Sequence, residues 1–423
     1  SGGSRGSRAQ TFVEAEHYSR VSVDIEGDSR WVALPDPPHI SIVGGPAERL
    51  VVVAPSTVGV GQPFRLLAKA QDVWGNPAQS YQGTVQLEAG GLELRATSHT
   101  FAPCDGGVWW LEGCCLLEPG IHRIVARDGE LRAESNPIVC TESAPARALF
   151  WGDPHGGQLH MASKIPAFFR YARDVSGIDF AGYQANGHRV TTDDWAMQQR
   201  AEREAYEPGR FVPLPGFEWT GEVRVGGHHN VYFRRHDQPI RRSCHLGNIA
   251  EQPDRDTDLP HVLDVHAAYR LTDTVITPHV GGGRADLTYH EPTLEPAIEV
   301  TSTHGTFEWF LEDALRRKYQ LGFIGGSDGY TGRPGGEYPG YQERRYAKGG
   351  YCALYADELS IPGVLEALRA RRAYGTTGAR IYVNLNADGH PMGERYQTRG
   401  RPTLSVTVAD TAPLESVELF RGL

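Results

Sequence analysis

Between residues 38 and 142 the apolar positions come in short runs: Ile40-Ser-Ile-Val, Leu50-Val-Val-Val-Ala, Phe64-Arg-Leu-Leu-Ala, Thr84-Val-Gln-Leu, Val108-Trp-Trp-Leu and Ile121-His-Arg-Ile-Val. Gly, Pro, Asp and Asn separate them. Several runs alternate. Phe64, Leu66 and Ala68 share one face and Arg65, Leu67 and Lys69 the other, because successive strand side chains point to opposite sides. Short alternating strands at this spacing predict a β-sandwich. Residues 1–37 read as an extended arm or extra strands laid over it.

Past Ala144-Pro-Ala the pattern changes. Strand-like runs at Ala148-Leu-Phe-Trp, Ile178-Asp-Phe-Ala, Phe211-Val-Pro-Leu, Thr274-Val-Ile-Thr, Ala297-Ile-Glu-Val and Leu321-Gly-Phe-Ile alternate with helical stretches. Helices are predicted at Ile165–Asp174, from Thr191 onward with Thr or Asp as its cap, and at His261–Tyr269, Thr306–Tyr319 and Ile361–Arg372. Pro362 suits the first turn of the last. This alternation predicts mostly parallel pairing, in a barrel or a doubly wound sheet. From Arg380 the β pattern returns, at Ile381-Tyr-Val-Asn-Leu, Thr403-Leu-Ser-Val-Thr-Val and Ser416-Val-Glu-Leu-Phe. The expected organisation is an N-terminal arm and sandwich (1–146), an α/β unit (147–379) and a C-terminal β segment (380–423), incomplete at Leu423.

Composition narrows the classes. A chain of 423 residues exceeds one ordinary core, and 39% apolar with 9% aromatic residues predicts globular packing. The net charge is −10, with no Lys/Arg stripe, which argues against nucleic acid as the partner. No run approaches the roughly 20 apolar residues that span a bilayer, so a soluble chain with no membrane partner is expected. The start, Ser1-Gly-Gly-Ser-Arg-Gly-Ser, reads as a processed end without a signal peptide, and compartment and oligomeric state stay open. Of the six cysteines, Cys104–Cys115 or Cys114–Cys140 could bridge. Free thiols are the preferred expectation, since a chain this size needs no staple.

Candidate chemistry lies at the strand ends. His155, Glu218, His228, His279 and Asp328 each follow or close an apolar run, and such convergence favours a shared site. Imidazoles with carboxylates and no nearby thiolate suit one or two divalent ions, zinc, manganese or iron. Glu218 could bridge two of them. Asp153 is a candidate catalytic residue that would orient the first histidine. His304 and Tyr330 are candidate proton donors, and Arg284 and Arg333 candidate clamps for a small anionic substrate. Gly281-Gly-Gly and Gly335-Gly lack the strand–helix setting of a nucleotide loop, and no Gly-x-Ser-x-Gly elbow is present.

Across about 147–395 the motif order resembles the polymerase-and-histidinol-phosphatase (PHP) superfamily of metal-dependent phosphoesterases. It is most similar to a poorly characterised bacterial branch with a β-sandwich ahead of the catalytic unit. Ala70-Gln-Asp-Val-Trp-Gly-Asn-Pro similarly resembles a turn of bacterial immunoglobulin-like modules. The superfamily resemblance rests on Leu149-Phe-Trp-Gly-Asp, Phe169-Arg-Tyr-Ala-Arg-Asp, Glu207-Pro-Gly-Arg-Phe-Val, Gly216-Phe-Glu-Trp-Thr, Gly227-His-His-Asn-Val-Tyr-Phe, Gly326-Ser-Asp-Gly-Tyr-Thr-Gly-Arg-Pro-Gly and Arg371-Arg-Ala-Tyr-Gly-Thr-Thr-Gly-Ala-Arg.

The resemblance implies a distorted, TIM-like (β/α)7 barrel with up to three metal ions at the strand C-termini. By motif, His155, Glu218 and Asp328 match one metal position, and Glu218, His228 and His279 a second. The chain departs from the pattern at three places. Gly157 stands where the second histidine of a His-x-His pair is expected, Gln184-Ala185-Asn186-Gly187 replaces Thr-Asp-His-Asp, and Tyr330 replaces a histidine. His160 or His188 could substitute for a lost ligand. The implied activity is metal-dependent hydrolysis of a small ester, a phosphoester first. The alternatives are a metal-dependent lyase or C–O/C–N bond-cleaving enzyme, and a non-catalytic carbohydrate- or protein-binding member.

Overall fold

In the computed structural model, strand Phe64–Gln71 pairs antiparallel with Arg49–Val53 on one side and Val108–Leu116 on the other. The structure describes all residues except 1–5, 7, 20, 89, 91, 94–95, 158–163, 341–346 and 422–423. A second sheet orders Ser98–Thr100, Thr84–Glu88, Val125–Asp128 and Leu131–Glu134, and a third Gly120–His122, Ile138–Thr141 and Thr57–Gly59. Leu50 and Leu66 from the first, Val85 and Ala126 from the second and Ile138 from the third share one apolar core. Glu14–Tyr18 pairs with His39–Ile42, and the arm is pinned where Asn76 Nδ2 donates to Thr11 O at 2.9 Å. All six cysteines are free.

Residues 147–379 correct the barrel expectation. Among the described residues there are five α-helices, strands hold 34% and helical turns 18%, and the strands form many small sheets. A mixed sheet runs Val212–Leu214, Phe180–Tyr183, Ala148–Gly156, Tyr351–Ala356, Ala373–Thr376, its first three strands parallel and the last two antiparallel. An antiparallel sheet joins Gly216–Thr220, His228–Phe233 and Thr274–Pro278. A third pairs Ala297–Ser302 parallel with Gly322–Gly325 and antiparallel with Gly305–Thr306.

The physical reason lies in the connections. A parallel strand pair needs a crossover of a dozen or more residues. Here strand 212–214 passes to 216–220 through Pro215 alone, and 216–220 reaches 228–233 through a short turn at Val223–Val225. Strands 216–220 and 228–233 fold back as an antiparallel pair, and 212–214 and 216–220 part into different sheets, so no (β/α)7 barrel closes among the described residues.

The sheets still share packing. Phe180, Val275, Ala297, Ile324 and Leu354, one from each of five strands, meet Val364, Leu365 and Leu368 of the Ile361–Arg369 helix. That helix begins where the sequence predicts, with Ser360 Oγ accepting from Gly363 N at 3.0 Å and Pro362 in its first turn. Trp151 joins the two halves of the chain. It is 1% exposed, and its Nε1 donates to Ser56 Oγ, in the segment before strand 57–59, at 2.9 Å. Trp151→Ala should therefore cost about 3–5 kcal/mol in urea unfolding, the range for emptying a large aromatic site. A loss under about 1 kcal/mol would mean that the site collapses around the gap.

Candidate metal centre

Strand alternation sorts the side chains of the antiparallel sheet. Phe217, Trp219, Val231 and Phe233 point into an outer apolar core. Glu218 and His228 therefore take the opposite face, with Asn230 directly across from Glu218. His279 lies two residues past Thr277, which is opposite Asn230, and so arrives on that face too. His155 comes from the end of strand 148–156 and Asp328 from the turn after strand 322–325, where its amide donates to His155 O.

The result is a buried cluster. Glu218 Oε1 lies 2.9 Å from His228 Nδ1, and Oε2 lies 3.5 Å from His155 Nε2. His155 Nε2 is 3.7 Å from Asp328 Oδ1. Ligand-type atoms of His155, Glu218 and His279 all lie within 4.8 Å of one another. The rings of His155 and His279 are 4.4 Å apart, and those of His228 and His279 5.6 Å. All five residues expected to bind metal are thus brought to one place.

Glu299, which sequence reading passed over, is part of it. Its carboxylate sits 3.0 and 3.1 Å from His155 Nδ1, leaving Nε2 to face Glu218 and Asp328. Such an acid fixes tautomer and ring orientation in metal-binding histidines. The signal available was a lone acid within the apolar strand Ala297-Ile-Glu-Val, on the same face as core residue Ala297. Glu299→Gln is expected to weaken metal retention about 10–100-fold in a chelator competition. Unchanged affinity would remove Glu299 from the site.

Acids and imidazoles are crowded together here. Glu218, Glu299 and Asp328 are buried together around His155. Burial opposes the charge on Glu218, yet His228 and His155 hold its pKa well below the usual carboxylate value. Burial likewise opposes protonation of His155, but Glu299 and Asp328 raise its pKa well above that of free imidazole. His279 goes the other way: burial and the neighbouring His155 push it well down, into the neutral form that ligates metals. Both its ring nitrogens are buried without a hydrogen-bond partner among the described residues. An unsatisfied buried polar group costs about 1–3 kcal/mol, which a bound ion would relieve.

The remaining candidates divide. His304 Nε2 is 3.1 Å from Asp328 Oδ2, with its side chain partly open to solvent. Tyr330 is half-buried two residues beyond Asp328. Arg284 is exposed, with its guanidinium 6.0 Å from the Trp309 ring. Asp153 is buried beside the first histidine, and its Oδ1 accepts from the His155 amide at 3.3 Å. Its Oδ1 also accepts from Ser327 N at 2.8 Å and its Oδ2 from Gly335 N at 3.2 Å, so it positions the loop that carries Asp328. Arg333 is buried against Thr331 Oγ1, Trp74 O and Asn76 Oδ1, and braces the loop on the N-terminal segment that carries Trp74 and Asn76. His188 is buried in the short turn Gly187–Arg189, which follows the bridge between Asn186 and Glu218, and His160 lies outside the described residues. Gly157, in place of a histidine, has φ +79° and no room for a Cβ beside the Tyr183 ring.

A second histidine cluster sits on the outer face. His229, pointing away from His228, lies 3.5 Å from Glu295 Oε1. Glu295 already accepts from His266 at 2.8 Å, His290 at 2.8 Å and the Glu291 amide at 3.0 Å, so hydrogen bonds alone satisfy it.

The site thus gathers imidazoles and carboxylates of the types that could hold a metal ion. Comparisons with known proteins leave its role open. A family described as "Protein of unknown function (DUF3604)" matches residues 145–305. An uncharacterized protein of Chlamydia pneumoniae is 25% identical over 99% of this chain and 71% of its own length. An uncharacterized protein of Chlamydia muridarum shows the same identity and coverage. Among solved structures, domains 4 and 5 of the S-layer protein SbsC align with a TM-score of 0.18 at 12% identity, over 29% of this chain and 66% of that one. The structure of PhoD aligns at 0.20 and 11% identity, over 41% of this chain and 40% of that one. Neither carries an argument about fold.

Proposed function

We propose that this protein is a metal-dependent hydrolase of a small anionic ester, with phosphoesters as the first substrate class. The observation that carries the proposal is His279, buried with both nitrogens unpartnered beside three buried carboxylates. The motif resemblance to PHP phosphoesterases supports the same reading. His155, Glu218 and His279 would hold the ion, flanked by His228 and Asp328. A zinc, manganese or iron ion bound there supplies Lewis acidity toward a water and an ester oxygen.

The chain's own groups would do the rest. Glu299 keeps His155 turned so that Nε2 is the ligating atom. His304, with Nε2 3.1 Å from Asp328 Oδ2 and its side chain partly open to solvent, would hand a proton to the departing alkoxide. Arg284, exposed two residues past Gly282, would attract the substrate's negative charge.

The test is elemental analysis of the purified protein, followed by assay with p-nitrophenyl phosphate, bis-p-nitrophenyl phosphate and p-nitrophenyl acetate. About one or more equivalents of zinc, manganese or iron, and chelator-sensitive turnover of a phosphate ester, are expected. Protein without stoichiometric metal would instead favour a non-catalytic binding module.

A further inference from the structure

Away from the metal centre, a cavity of about 280 Å³ opens at the seam between the N-terminal sheets and the loops around residues 335–338 and 376–380. Four cations line it. Arg49 and Lys69 come from strands 49–53 and 64–71, and Lys348 and Arg380 from across the seam. Glu134 is the acid on the lining, and its carboxylate is already bonded to Arg132.

Each cation uses part of its donor set on a neutral acceptor. Lys69 Nζ donates to Val175 O at 2.6 Å and Lys348 Nζ to Gly378 O at 2.5 Å. Arg49 Nε donates to Gln71 Oε1 at 3.1 Å, and Arg380 Nη2 to Gly177 O at 2.7 Å. An ammonium has three donors and a guanidinium five, so most remain to be used. Among the described residues none of the four has a carboxylate within the 4.0 Å of an ion pair. Lys69 itself is 6% exposed. Burial, with Arg380, Arg49 and Lys348 close by, pushes its ammonium down to about 7. Buried charge of one sign without a counter-charge is costly, and an anion is the species that relieves it.

We propose that this cavity binds a small oxyanion, a phosphate group free or in ester linkage, between Arg49, Lys69, Lys348 and Arg380. The bound anion would bridge the two halves of the molecule. One wall includes Gly335, whose amide also donates to Asp153, so the anion would brace the loop that leads back to Asp328. This site is separate from the metal centre and does not depend on it.

Full-length protein treated with EDTA, so that phosphate cannot bind through metal, is titrated with inorganic phosphate by calorimetry and thermal unfolding. Sodium chloride at matched ionic strength is the control. Saturable binding and a rise of several degrees in Tm are expected with phosphate, because a ligand that binds only the folded state stabilises it. Lys69→Met and Lys348→Met should each weaken binding by about tenfold or more, as loss of a charge-assisted contact does. If Lys69→Met fails to fold, the half-buried Lys348 position decides the matter. Glycerol 3-phosphate binding more tightly than inorganic phosphate identifies an ester as the ligand, and the reverse identifies the free ion. An equal rise with chloride, or wild-type affinity in Lys348→Met, would overturn the proposal.

Discussion

Glu218→Gln is expected to strip the metal and abolish turnover together. Glutamine keeps the volume and leaves Phe217 and Trp219 in their outer core, so the strand should hold its register. What changes is the centre of the cluster. Glu218 is the residue between His228 at 2.9 Å and His155 at 3.5 Å, and it belongs to the group within 4.8 Å that includes His279. An amide offers one neutral oxygen and an NH2 that cannot ligate a cation. The affinity loss should exceed the roughly 100-fold seen when only an outer partner of a ligand is removed. Breaking a buried charged pair can itself cost about 3–5 kcal/mol, so circular dichroism and urea unfolding must show the variant folded before its metal content is read. Stoichiometric metal and wild-type rate in folded Glu218→Gln would refute the centre. Metal lost with the rate retained would spare the ion site and refute the hydrolase.

Much of the buried His/Glu/Asp cluster was legible because each member closes an apolar run, and side chains at strand ends are the ones free to leave the core. Within Gly227-His-His-Asn the period-2 rule explains which histidine enters: His229 shares its face with Val231 and Phe233, so His228 takes the other. Glu299 was not legible, since one acid in a strand looks alike whether it meets solvent or His155. The surroundings of Arg333 were hidden for a related reason. A glycine-rich loop reads as exposed, but the guanidinium folds inward onto Asn76, 257 residues away in sequence. Local pattern cannot report a partner that distant. The barrel expectation failed at the connections. Alternating strands and helices suggest crossovers, whereas Pro215 joins two strands with no helix between them. Individual strands and helix caps depend on neighbours in sequence. Strand partners depend on loop length and tertiary packing, which the apolar pattern leaves undetermined.

The triple glycine Gly281-Gly-Gly carries the other large effect, through close approach. His228 N donates to Gly283 O at 2.8 Å, which draws this loop over the cluster. A Cβ on Gly281 would overlap Asp328 Oδ2 and lie 2.8 Å from His304 Cδ2, and a Cβ on Gly283 would overlap His228 Nε2. In both cases the obstructed atom is the tip of a candidate functional side chain, with no backbone in the way. The cheapest relief is to swing that side chain aside, so the cost should fall on the site more than on the fold. Gly281→Ala and Gly283→Ala are therefore expected to lower metal affinity by about 10–100-fold or more, since even outer-shell disturbance reaches that range. Stability should change by only about 1 kcal/mol, the common size of a point-mutation effect. Gly400→Ala is the control, because its Cβ would meet nothing within 4 Å. Chelator competition and urea unfolding on the three variants separate the outcomes. If Gly281→Ala and Gly283→Ala bind metal as tightly as Gly400→Ala, then Asp328 and His228 have room to move without consequence, and neither is a ligand.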